Sequence, residues 1–443
     1  MKISFIVPAI GKKPGQKYIG TWKMEPLTIA VLNSLTPENI ERELFDDRIE
    51  LINYDTKTDL VVITVETYTA KRSYQIAEEF RKRGVTVVMG GYHVTLIPEE
   101  AEQHADCIVT GNAEGIWSEL LNDYRRNQLK KVYHGGSGFA DILPDKSIFN
   151  GKKYLPVSLV EIGRGCVHSC EFCAVSRYYR HHYYCRNHDQ ILSDVMRSNH
   201  KYHFLVDHNL IADHNKAKLI FEKITPLNIK WAGQGTLAIA RDMELLKKMK
   251  KSGCEIILIG FESLEEESLR QMNKTWNKAM GERGELVKRI HSAGIGIYAT
   301  FVFGYDGDTP KTFENTLEFA KKHHFYTAAF NHLLPFPGTN LYQRLKEENR
   351  LLHKQWWLDG DYHYGELAFK PKHLSPEQLS SLCRNTRKEF SSLPVVLHRG
   401  FSSMKETSPS LWPLFWAMNL RLGEEIDEKF NIPLGQNLDE LPK

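Results

Sequence analysis

Twice along its length the chain sets short apolar segments against amphipathic ones, and this double alternation limits the available folds more than any single motif does. In residues 1–130 the strand-like runs are KISFIV, IELINYD, DLVVITV, VTVVMGG and ADCIVTG, interleaved with helical stretches such as PLTIAVLNSL, YQIAEEFRKRG and GIWSELLNDYRR. Strand-length apolar runs alternating with helices predict a parallel sheet covered by helices on both faces. The class is α/β, with a Rossmann-like (flavodoxin-like) N-terminal domain. Such sheets gather ligands at the carboxyl ends of their strands, which here read VPAIG, VETYTA, MGGYH and TGNAEG.

The alternation resumes over 155–345 with VSLVEIG, YHFLVDHN, IKWAGQG, EIILIGFES, GIYATFVFG and TAAFNHLLPF. Six strand–helix units predict a partial (β/α)6 barrel. Between the two, residues 131–154 carry Gly, Asp and Lys without a sustained period and are expected to be a linker. In 346–443 the register is lost. An extended stretch leads to a helix capped at Ser375, with Pro376 and Glu377 in its first turn, and then to the apolar SPSLWPLFWAMNLRL. This extension is expected to be mostly helical and to pack on the barrel. A chain of 443 residues exceeds what one core organises, in keeping with two domains and an appendage.

A formal net charge of +3 gives no argument for a nucleic-acid partner. No run reaches the roughly eighteen apolar residues of a spanning helix, and the N-terminal apolar stretch is too short for a signal peptide. Seven cysteines, an odd number, suit a reducing compartment in which thiols serve metals or catalysis. The expected location is the cytoplasm.

Three of those cysteines, Cys166, Cys170 and Cys173, fall within eight positions just after the first barrel strand, with Phe172 before the last. A structural zinc ion would need a fourth ligand, for which His168 stands in the same loop. A closed electron-transfer cluster would need a fourth thiolate from Cys185 or Cys254, neither of which has paired spacing. A [4Fe-4S] cluster on three thiolates leaves one iron open to a small chelating molecule.

The triplet, its aromatic neighbour and its place after the first barrel strand resemble the signature of the radical S-adenosylmethionine enzymes. The resemblance implies a cluster on Cys166, Cys170 and Cys173, S-adenosylmethionine on the open iron and a 5′-deoxyadenosyl radical. It also implies an external electron donor of flavodoxin or ferredoxin type. By order along the barrel it carries cofactor contacts to Phe172, to Asp207 and Asn209 in FLVDHN, to Gln234 in WAGQG, to Glu262 in IGFES and to Gly304 in FVFGYDGDT. A strand-end polar group satisfied by backbone remains the competing reading of the polar ones. The first domain resembles the cobalamin-binding domain of a large subfamily. This implies contacts at Thr64, Gly90, Gly91, Tyr92 and His93, and at Gly111 and Glu114 in TGNAEGIW.

One departure is plain: VPAIGKKPG lacks the Asp-x-His-x-x-Gly motif that supplies a lower histidine to cobalt, so cobalamin would be held without it. No G-x-G-x-x-G follows the first strand and no Walker motif exists, which disfavours dinucleotide and ATP chemistry. The resemblance implies C-methylation of an unactivated carbon on a small-molecule, lipid or tetrapyrrole substrate. The alternatives are cyclisation or another carbon-skeleton change without net methyl transfer, and a non-catalytic iron–sulfur or cobalamin sensor. SRYYRHHYYCRNH at 176–188 would suit an anionic or aromatic substrate, or a solvated basic loop. Trp412, Phe415 and Trp416 would suit a lipid or tetrapyrrole, or simple packing on the barrel.

Overall fold

In the computed structural model, which describes residues 1–275, 282–406 and 409–439, each alternation becomes a six-stranded parallel sheet. The first contains β1 (Lys2–Val7), β2 (Glu41–Asp46), β3 (Leu60–Thr64), β4 (Thr86–Gly90), β5 (Cys107–Thr110) and β6 (Val132–His134), in the order β2-β1-β3-β4-β5-β6. Successive residues of a strand face opposite sides. Val61 and Ile63 therefore pack with Ile76 and Phe80 of helix Ala70–Lys82, while Leu60 and Val62 pack with Ile29, Leu32 and Trp117 on the other face.

Two boundaries differ from the sequence reading. The second strand is ERELFD, not IELINYD. As an edge strand with one neighbour it buries only Leu44 and Asp46, so its polar composition hides it from a search for apolar runs. Val132–His134 adds the last strand of the same sheet from within the expected linker.

The second sheet follows chain order. Its strands are β7 (Ser158–Glu161), then, after a hairpin of β8 (Gly163–Gly165) and β9 (Tyr183–Cys185), β10 (Tyr202–Val206), β11 (Lys230–Gly235), β12 (Cys254–Glu262), β13 (Gly296–Phe303) and β14 (Thr327–His332). The sheet curls but does not join β14 to β7, leaving the barrel open on one side. Ile297, Ala299, Phe301 and Phe303 of β13 pack on the outer helices, so Tyr298, Thr300 and Val302 face the interior. The outer helices start at side-chain caps: Asn187, Asp213 and Asp242 accept the N–H groups of Asp189, Lys216 and Leu245.

The extension contains helices Pro376–Phe390, Leu393–Glu406, Trp412–Asn419 and Leu422–Lys429. The first starts at Ser375 with a reciprocal capping box to Gln378 and runs along β14, where Arg387 Nε donates to the Phe330 carbonyl at 2.7 Å. The extension also packs on the first domain: Trp356, Trp357 and Tyr362 enter its core. There Glu100 accepts from Trp357 Nε1, Gln355 Nε2 and Tyr74 Oη. Phe415, with Trp416 beside it, packs against Tyr326 of the barrel, and Trp412 is half-buried; Ser408 of that aromatic segment lies outside the described residues. No helix among the described residues is long and apolar enough to cross a membrane.

Candidate active site

β7 delivers the chain to the barrel mouth, where β8 turns it back against β9. Gly165 makes this turn: its φ is +87°, and a Cβ there would lie 2.1 Å from the His182 carbonyl oxygen, so no other residue fits. The loop that follows carries the three cysteines and is tied down from outside. Glu171 receives a fork from Arg344, Nε to Oε1 at 2.6 Å and Nη2 to Oε2 at 3.1 Å, and Asn273 Nδ2 donates to Ser169. Ser176 Oγ and His181 hold the His168 carbonyl, so His168 is fixed by its backbone.

The thiols are left free of disulfides and half-buried. Burial raises the Cys166 thiol and pushes Cys170 up to about 12, so ligation, which requires thiolates, calls for strong positive charge in the loop. Among the described residues no three His, Cys, Asp or Glu side chains converge on one point as a single ion's shell demands. A cubane places each thiolate on a different iron and asks for spacing, not convergence, and three thiols on one preformed loop fit that requirement.

The barrel positions carried over from the resemblance surround this loop unevenly. Phe172 packs on the barrel core. Asp207 is buried, accepts from Tyr183 Oη and from the Asn209 N–H, and is pushed up to about 6 by burial. Asn209 Oδ1 is buried without a hydrogen-bond partner among the described residues, an acceptor that a ligand's ammonium or hydroxyl would satisfy. Gln234 Nε2 donates to the His208 carbonyl. Glu262 sits at an irregularity of β12 with φ +61° and pairs with the buried Lys274 at 2.8 Å. A non-glycine residue held in that region stores strain, as functional sites often do. Gly304 donates its N–H to Asp308 in the turn after β13.

Between this mouth and the first sheet lies a cavity of about 270 Å³. Thr64, Gly90, Gly91, Tyr92, Gly111 and Glu114 line it from the carboxyl ends of β3, β4 and β5. His93 does not. Its ring is fully buried behind the turn, with Nε2 3.0 Å from Glu100 Oε1, so it belongs to the clasp between the first domain and the extension. Gly91 is required by the chain itself, since its φ is +120° and a Cβ would lie 2.6 Å from the Val65 carbonyl oxygen.

The opposite wall was only partly visible in the sequence, which singled out the stretch holding Tyr178 and Tyr179 but gave Glu161, Arg164 and His208 no role. Glu161, Arg164, Tyr178, Tyr179 and His208 come from the barrel side. Arg164 bridges the domains, paired with Glu161 at 2.7 Å and with Glu114, and its guanidinium lies 4.2 Å from the centre of the Phe139 ring. Tyr92, Tyr178 and Tyr179 form an aromatic run with ring centres 4.5 and 4.6 Å apart, and Tyr178 Oη donates to Asn112. Glu66 opens onto the cavity. His208 is the histidine among the lining residues, and both ring nitrogens are occupied, Nδ1 by the Gly165 N–H and Nε2 by Tyr92 Oη. A corrin here would receive no histidine from the wall; the glycine turns and aromatic run suit a broad, largely apolar ligand.

Residues 160–320 match the model of the radical SAM superfamily. The chain is 31% identical over 359 residues to bacteriochlorophyllide d C-8(2)-methyltransferase of Chlorobaculum tepidum, spanning 74% of this chain and 78% of that protein. It is 28% identical over 407 residues to bacteriochlorophyllide d C-12(1)-methyltransferase of the same organism, spanning 88% and 86%. The cobalamin-dependent S-adenosylmethionine radical enzyme OxsB, solved with aqua-cobalamin and S-adenosylmethionine bound, shares the fold with a TM-score of 0.67 over 96% of this chain and 71% of that one, at 13% identity.

Proposed function

The chain belongs to the radical S-adenosylmethionine enzymes that carry an N-terminal cobalamin-binding domain, and from that membership we propose that it transfers a methyl group to an unactivated carbon of a tetrapyrrole. The observation that carries the reading is the cavity between the strand ends of the first sheet and the barrel mouth, whose barrel-side wall, Glu161 and Arg164 before the cysteine loop and Tyr178 and Tyr179 after it, sets that loop beside the first domain. The names of the two Chlorobaculum relatives support both the methyl transfer and the substrate class.

When bound, the cluster with S-adenosylmethionine would supply the hydrogen-abstracting radical and cobalamin the methyl group. Cys166, Cys170 and Cys173 would hold the cluster, and the Glu171–Arg344 fork keeps their loop in place. Asn209 Oδ1 and the Glu262 carboxylate offer acceptors at the strand ends. Tyr92, Tyr178 and Tyr179 would support the corrin's flat face, while Arg164 between Glu114 and Glu161 closes the domain boundary against water.

The test is anaerobic turnover of reconstituted protein with methyl-deuterated S-adenosylmethionine and bacteriochlorophyllide d. A deuterated methyl group on the product, with 5′-deoxyadenosine and S-adenosylhomocysteine formed alongside, is expected. Absence of 5′-deoxyadenosine from the reduced, cluster-loaded protein overturns the enzyme reading.

A further inference from the structure

The open side of the barrel is not sealed by the extension. A second cavity, of about 300 Å³, lies between β13, β14, helix Pro376–Phe390 and helix Leu422–Lys429. Its walls are aromatic: Tyr298, Tyr364, Trp22 and Phe430, with Trp22 and Tyr364 in edge contact at 5.1 Å. Tyr298, on the interior face of β13, forms part of its wall.

Three cations line the cleft, and their partners differ. Arg384 pairs with Asp427 at 2.5 Å, and Lys429 pairs with Glu425 at 2.6 Å. Arg387 donates instead to neutral oxygens, the Phe330 carbonyl at 2.7 Å and Asn331 Oδ1 at 2.8 Å. Its Nη1 makes no bond, and no carboxylate pairs with it, among the described residues. A half-buried guanidinium without a counter-charge bears a desolvation cost that an anion offsets, and its planar fork matches a carboxylate.

Resting on the reading that a tetrapyrrole is the substrate, we infer that this lateral cleft receives the acidic edge of a flat aromatic molecule, with Arg387 taking its carboxylate and Tyr298, Tyr364 and Trp22 bracketing the ring. A neutral aliphatic polycycle would leave the Arg387 charge uncompensated and use none of the aromatic faces.

The probe is protoporphyrin IX, compared with its uncharged dimethyl ester, bound to the full-length, cluster-loaded protein and followed by the shift in porphyrin absorbance. Arg387→Gln should bind the acid at least about tenfold more weakly while binding the ester unchanged. Asn331→Asp, at an exposed position, sets a carboxylate beside the guanidinium and should weaken acid binding in the same direction. It decides the matter if Arg387→Gln does not fold. Acid binding unchanged in both variants, or ester binding to the parent as tight as acid, overturns the assignment. 5′-Deoxyadenosine release from the same preparations reads the methyl-transfer reading separately. If the binding differences appear in protein that forms none, the cleft stands and that reading falls; if it forms while acid binding ignores both substitutions, the cleft alone falls.

Discussion

Tyr92 Oη and His208 Nε2 stand 3.1 Å apart across the boundary between the two sheets. The Gly165 N–H donates to His208 Nδ1 at 3.1 Å, so that nitrogen is bare and the ring's proton sits on Nε2, where it is donated to Tyr92. Burial lowers the pKa of His208 and keeps the ring neutral. One imidazole thus joins the glycine turn of the first domain to the residue before Cys166.

Removing that ring by His208→Ala leaves the Gly165 N–H and the Tyr92 hydroxyl without their partner, and should cost about 2 kcal/mol in urea unfolding. Tyr92→Phe removes one of the two bonds and should cost about 1 kcal/mol. An alanine variant as stable as the parent would show that His208 is not a tie between the domains.

Alanine at Cys166, Cys170 or Cys173 should each abolish the iron–sulfur absorbance of reconstituted protein. Cys185→Ala should retain it, since Cys185 packs against the barrel core at the end of β9, outside the loop. Loss of the cluster in Cys185→Ala would return a closed four-thiolate site to consideration.

The adjacent glycines at the end of β4 should respond oppositely. Gly91→Ala forces a Cβ toward the Val65 carbonyl at a positive φ and should cost roughly 1–3 kcal/mol. At Gly90 a Cβ meets Val109 at an ordinary 3.6 Å, so Gly90→Ala should fold normally. Thermal unfolding of the two variants checks this, and equal melting temperatures would refute it.

Asp207 gives a pH signature. Burial raises its folded pKa from 3.8 to about 6, so between those values the folded chain keeps a proton that the unfolded chain releases. Its contribution to stability is present below pH 3.8 and is lost as pH rises through about 6, a change of at most about 3 kcal/mol. This direction is opposite to that of an ion-paired carboxylate. In urea unfolding across that range Asp207→Asn should remove the decline; an unaltered slope would assign it elsewhere.

The barrel was legible because each of its strands is buried on one face by its own following helix, so periodicity and chain order carry the information. The cysteine loop was legible because its chemistry is local. What escaped depends on pairing at long range. Arg164, Tyr178, Tyr179 and His208 become part of the cavity only when the barrel mouth meets the first sheet, and no spacing within either domain encodes that meeting. His93 follows Tyr92 directly, yet the short turn after Gly91 sends one side chain into the cavity and the other into the core. Trp356 and Trp357 looked like an irregular segment because the core they fill lies some three hundred residues away in sequence.

The clasp of Trp357 and Gln355 on Glu100 fixes how the molecule is allowed to open. With a covalent crossing on one side and this clasp on the other, parting the two sheets would break the Trp357 and Gln355 hydrogen bonds to Glu100 and draw Trp356 and Trp357 out of the first domain's core into water.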